Sequence, residues 1–184
     1  MARIHLSERI KRPPKSLTFE TYLREQDNPI PSHPEARDPR IVPLVVLDYG
    51  SVMARVRKMR YIGSFLVNSI KEMAVSAKSA VENPYSGKKT IDPDTLKELE
   101  EYAHGLGITD IGYTRVNPRH IFKGFKLLFP NAMVFTMEMD REKIKQAPAA
   151  PSLWEIWRTY YQLGVIVNEV SAFLRERGYN ALAG

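Results

Sequence analysis

Residues 154 to 164, WEIWRTYYQLG, gather two tryptophans, two tyrosines and an arginine within little more than two helical turns. At three- and four-residue spacing Trp154, Trp157 and Tyr161 share one face, whereas Tyr160 points elsewhere. A phenol can carry a proton and an aromatic wall can cover a cofactor, yet the same stripe serves as core packing. The four histidines, His5, His33, His104 and His120, are scattered without metal-ligand spacing and read as structural. His120 stands apart because NPRHIF sets it at the start of a helix, where amide groups and Arg119 could hold an anion. GxGxxG, Walker, HExxH and GxSxG spacings are absent. In ARVRKMR, Arg55, Arg57, Lys58 and Arg60 fall within six positions. Such a run suits phosphate, an anionic membrane surface or an acidic partner, but equally a solvated helix face with weak, salt-sensitive affinity for polyanions.

With 184 residues the chain is long enough for one domain plus an extended arm. Hydrophobic residues make up 43% and charged residues 26%, and no apolar run reaches membrane-spanning length. No signal-peptide core follows the basic N-terminus, so a cytoplasmic protein without a membrane span is expected. The absence of cysteine excludes disulfides, a thiol nucleophile and thiolate-held clusters within this chain. The net charge of +6 is uneven: residues 46 to 90 carry the excess of Lys and Arg, while 91 to 184 are nearly balanced.

Residues 1–45 contain many prolines and no sustained periodicity, which predicts an extended arm wrapped over a single α/β domain at 46–184. IVPLVVLDYG reads as a strand or packed extended segment. Apolar residues at three- and four-residue steps from Ser51 to Glu82 predict an amphipathic helix, with Gly63 as a point of interruption. Asp92 is an N-cap with Pro93 at the first helical position, for a helix closing at Gly105 or Gly107. ITDIGYTRV predicts a strand near 110–116. Asn117 and Pro118 open a short helix through RHIFKGFKLL, and NAMVFTMEMD predicts a strand near 132–139. QAPAAP is a loop, Ser152 caps a helix from Leu153 to about Arg177, and YNALAG starts a strand near 179–183. The alternation of elements from 92 onward predicts α/β or α+β architecture.

Three pieces, in this order, carry a family resemblance: LKELEEYAHGLGITDIGYTRV, FPNAMVFTMEMD, and YYQLGVIVNEVSAFLRERGYNALAG. Residues 96–184 resemble the part of corrinoid-dependent reductive dehalogenases and epoxyqueuosine reductases that precedes their cluster-binding region. RERGYNALAG favours the dehalogenase branch. The resemblance implies a nitroreductase-like sandwich core, here incomplete, and a fragment or shortened relative lacking the cysteine motifs for two iron–sulfur clusters.

In that family a corrinoid (cobalamin) acts on an organohalide while a tyrosine delivers a proton. The resemblance makes Tyr160 the first match for that tyrosine and Tyr161 the second, with Arg158 as the neighbouring cation. The aspartate of the epoxyqueuosine branch would fall near Thr159. Tyr179, Asn180 and Ala181 of the GYxA segment are the implied cofactor-binding positions, and no metal ligand is implied in this chain. Three functions follow, in order: a reductive dehalogenase-like oxidoreductase portion that is inactive without a cluster-binding partner or missing region; a non-catalytic relative acting as a binding or assembly module; and an electrostatic surface binder using ARVRKMR, without specific nucleic-acid recognition.

Overall fold

The computed structural model describes residues 18–38, 51–84 and 86–184. The expected segment IVPLVVLDYG and the first part of the expected arm lie outside the described residues. Among the described residues the helices are α1 (Val52–Lys78), α2 (Pro93–Gly105), α3 (Arg141–Ile144) and α4 (Ala150–Glu176). The strands β1 (Ile30–Pro31) and β3 (Lys126–Leu127) form one antiparallel pair, and β2 (Asp110–Arg115) and β4 (Asn131–Thr136) form another. The fold is therefore mixed helix and strand, with two small sheets among the described residues.

Helix α1 starts where the Ser51 hydroxyl accepts the Ala54 amide hydrogen, which satisfies an amide that the first turn leaves open. It continues past Gly63 without the expected interruption. A mid-helix glycine costs only about 1 kcal/mol, and packing of the flanking turns outweighs that. Ile62, Met59, Phe65 and Leu66 bury their face against Leu153 and Trp157 of α4. Phe65 meets the Trp154 ring edge-on at 5.3 Å, the geometry that aromatic quadrupoles favour. Farther along, the Asn168 amide donates to the Glu72 carboxylate at 2.9 Å. A Cβ at Gly164 would meet the Glu72 Cβ at 3.4 Å, an ordinary contact distance, so α1 and α4 lie close here without the crossing depending on glycine.

The larger core lies on the other side of α4. Leu99 and Ala103 of α2 pack with Ile108, Ile166, Val170, Leu174, Tyr179 and Ala181. Asp92 caps α2 as its sequence predicts, accepting the Thr95 amide hydrogen at 2.9 Å. The β2–β4 register pairs Ile111 with Phe135 and Tyr113 with Met133. Ile111, Met133 and Phe135 close over the core, while Gly112 and Val134 occupy the opposite face.

Three expectations are corrected. RHIFKGFKLL is not a helix: only Pro118–His120 makes a 3-10 turn, after which Gly124 at φ 77° turns the chain into β3. Ser152 is not the cap of α4, which begins at Ala150; its buried hydroxyl instead donates to the Ala149 carbonyl. Residues 179–183 form no strand but an extended tail. Among the described residues its ladder contact is a parallel bridge between Lys88 and Tyr179.

The tail and the described part of the arm meet at Asn83. The Asn83 side-chain oxygen accepts the Ala181 amide hydrogen at 2.7 Å, and its carbonyl accepts from Arg24 at 2.6 Å. Ser76 donates to the Ala183 carbonyl, and Arg175 donates to that of Ala181. Residues 18–38 thus lie along the domain, with Phe19–Tyr22 forming a 3-10 turn and Ile30 pairing with Leu127.

Candidate functional site

The first three turns of α4 bring together most of the side chains with chemistry. Position 155 turns inward with Ser152 and Thr159, so Glu155 has no exposed surface (0%). A carboxylate in that position requires partners. It accepts the Asp140 amide hydrogen at 2.9 Å, the Lys143 ammonium at 3.3 Å and the Arg158 Nε at 2.9 Å. The second Arg158 nitrogen, Nη2, also donates to it.

Chiefly through the Arg158 hydrogen bond, with the Asp140 amide and Lys143 adding to it against burial, the Glu155 carboxyl is held down at about 2. Glu155 raises the Arg158 guanidinium in return. Asp140 in turn caps α3 by accepting the Glu142 and Lys143 amide hydrogens at 3.0 and 3.2 Å. Lys143 also sits over the Trp154 ring at 4.6 Å, a cation–π contact. The cluster is a fixed set of charges that clamps α3 onto α4. A carboxylate ionised at every pH above about 2 is an anchor and does not shuttle protons near neutrality.

Tyr160 leaves this cluster in the opposite direction. It is 52% exposed, and its ring lies 6.2 Å from that of Trp157, which is 5% exposed. Tyr161 is half-buried, 6.2 Å from Phe65. Trp154 and Trp157 stand with it on the packing side, as the spacing predicts. Arg158 donates to Glu155 and Gln162. Its charge is thus committed to Glu155 instead of serving as a cation for Tyr160. Thr159, at the position matched to the aspartate of the other branch, is buried and donates to the Glu155 carbonyl at 3.0 Å.

The segment implied to meet a cofactor is engaged internally. The Tyr179 hydroxyl donates to Asp92 at 2.9 Å and its ring is buried in the main core. Ala181 is buried and tied to Asn83. Asn180 is half-buried, with its amide against Gly87. Tyr179 and Ala181 thus face the core, while the Asn180 Oδ1 is buried with no hydrogen-bond partner among the described residues.

Among the histidines, His104 Nδ1 lies 2.8 Å from the Ile108 carbonyl and His33 Nδ1 accepts the Glu35 amide hydrogen. His120 is exposed on its three-residue turn, while Arg119 pairs with Glu35 at 3.7 Å. Among the described residues no group of three His, Asp or Glu side chains could hold a metal ion, and no helix is long and apolar enough to cross a membrane. Glu155 and Asn83, both buried and each tying distant segments together, are not signalled as sites by the sequence. The available hint was a Glu–Arg pair three residues apart inside an aromatic run. Comparison with protein-family models, curated proteins and solved structures returned no match to this chain.

Proposed function

We propose that the chain is a portion of a reductive dehalogenase-like, corrinoid-dependent oxidoreductase, acting on an organohalide and inactive until joined by a cluster-binding region. In this reading the mixed fold is an incomplete nitroreductase-like core. The observation that supports it is the orientation of Tyr160, whose phenol projects outward while the neighbouring Trp154, Trp157 and Tyr161 turn towards the packing side. Tyr160 holds the proton delivered to the carbon from which halide departs, Tyr161 is its half-buried neighbour, and Arg158 positions the helix through Glu155. Reducing equivalents come from sequence outside this chain, since it contains no cysteine.

The test is made in the protein completed with a cluster-binding region. There Tyr160→Phe lowers turnover by about 10²- to 10⁴-fold with corrinoid binding nearly unchanged, the range of a lost general acid. Full activity in that variant, or no corrinoid binding by the completed protein, overturns the reading. The inward commitment of Tyr179 and Ala181 favours a second reading, a non-catalytic binding or assembly module. Under it, neither the chain nor its complex changes the absorption bands of added hydroxocobalamin.

A further inference from the structure

One face of α1 packs on α4, and beside it, roughly 80 to 140° around the helix from Ile62, runs a second apolar ribbon that no described element covers. Taking the buried Ile62 as the centre of the packed face, 100° per residue places Val52, Val56, Gly63, Val67 and Ile70 along that one strip. Val52 is 77% exposed and Val67 53%. Beside that strip runs another, formed by the exposed Arg57, Arg60, Lys71 and Lys78. Carboxylates are missing from both. The single acid within α1, Glu72, turns toward α4 and holds Asn168, and the next, Glu82, is paired with Arg175 at 3.2 Å.

Apolar side chains alone would suit any hydrophobic partner, and cations alone any polyanion. Parallel strips of both, on one side of a 27-residue helix, match a surface that is apolar below and anionic above. We infer that α1 is a peripheral membrane-binding helix that lies in the headgroup layer of an anionic phospholipid bilayer, with its valine strip inserted and its basic strip on the lipid phosphates. A second copy is a poorer occupant. Two-fold antiparallel pairing would bring Arg57 and Arg60 of one copy towards Lys71 and Lys78 of the other with no carboxylate between them. The inference is independent of Tyr160 and of any catalytic role.

The experiment is co-sedimentation of the whole chain with vesicles of phosphatidylcholine alone and of phosphatidylcholine with about 30% phosphatidylserine. Binding to the anionic vesicles is expected to exceed that to the neutral ones by about fivefold or more, and to fall as salt is raised from about 0.1 to about 0.5 M. Val67→Asp with Ile70→Asp brings it down to the neutral level, and Arg60→Gln with Lys71→Gln weakens it and flattens the salt dependence. Val56→Asp, at an independent point on the strip, repeats the first test, and an unchanged thermal melt shows that each variant is folded. Equal binding to both vesicles overturns the inference, as does full binding by the aspartate variants, which would leave only charge. Dimers in light scattering that Val67→Asp dissociates would assign the strip to a second copy. Stronger capture by soluble polyglutamate than by anionic vesicles would assign it to an acidic protein.

Discussion

Helices α1 and α4 are each 27 residues long and pack against one another, yet they occupy opposite environments. Helix α4 is enclosed by α1, α2 and α3, and it buries Leu153, Trp157, Ile166, Val170 and Leu174 on more than one side. Among the described residues of α1, Ile62 and Ala77 are buried while Val52, Met53, Val56 and Val67 remain more than half exposed. The comparison teaches that an apolar side chain stabilises only where another element removes it from water. It also separates α4, whose residues hold the fold together, from α1, part of whose apolar surface no described element covers.

The sharpest way to break this comparison is truncation in the enclosed core. Leu99→Ala, beneath α4, is expected to cost about 2 to 5 kcal/mol in chemical denaturation, because a fully buried leucine leaves a cavity. A cost below about 1 kcal/mol would mean that the α2–α4 core is loosely packed.

Next comes the charged clamp on α4. Glu155→Ala leaves Arg158 and Lys143 without their shared carboxylate and should cost about 2 kcal/mol, with Arg158→Gln costing less because that side chain is partly solvated. The clamp also sets a pH dependence. The folded Glu155 value, about 2, lies below the ordinary 4.5. Its contribution is therefore complete above about pH 4.5 and is lost as pH falls towards 2. Acid unfolding followed by circular dichroism should show stability falling through that window. The slope should be shallower in Glu155→Gln, though not abolished, because Asp92 and Asp140 are depressed in the same direction.

A smaller effect is expected where α4 ends. Gly178 has φ +85°, a backbone conformation that costs an alanine about 1 kcal/mol, so Gly178→Ala should lower the denaturation midpoint modestly. The smallest belongs to the outer strip of α1: Val67→Ala should change stability in solution by no more than about 0.5 kcal/mol. A loss as large as that of Leu99→Ala would show that the strip is covered in the folded chain, and the contrast between the helices would fail.

Much of this contrast could be read locally, and some could not. The steps of apolar residues from 52 to 78 predict α1, and Asp92–Pro93 marks the start of α2, because capping and amphipathic periodicity act over a few residues. The aromatic spacing likewise separates Tyr160 from Trp157. Nothing local says which of two apolar strips on α1 meets α4, since both have helical spacing. Nor does a Glu–Arg pair three apart distinguish a solvated ion pair from the buried Glu155 clamp, whose other donors come from Asp140 and Lys143 in α3 and its cap.

The expected strand at 179–183 and helix after Pro118 show the same limit from the other side. YNALAG has the small, apolar composition of a strand, but a strand exists only with a neighbour. Past the Lys88 bridge, the tail's amide and carbonyl groups are met by Asn83, Arg175 and Ser76. Lys126–Leu127 is drawn into β3 by Ile30–Pro31, almost a hundred residues earlier in the chain. The sequence by itself determined α1, α2 with its Asp92 cap, the body of α4, the places of the two six-residue strands, the outward turn of Tyr160 and the absence of cysteine chemistry in this chain. These depend on side-chain type and on periods of two and 3.6 residues. Only the tertiary structure decided that Glu155 is buried, that Tyr179 and Ala181 face inward, and that no described element covers one strip of α1. Burial depends on which distant segments arrive, and no local period encodes their arrival.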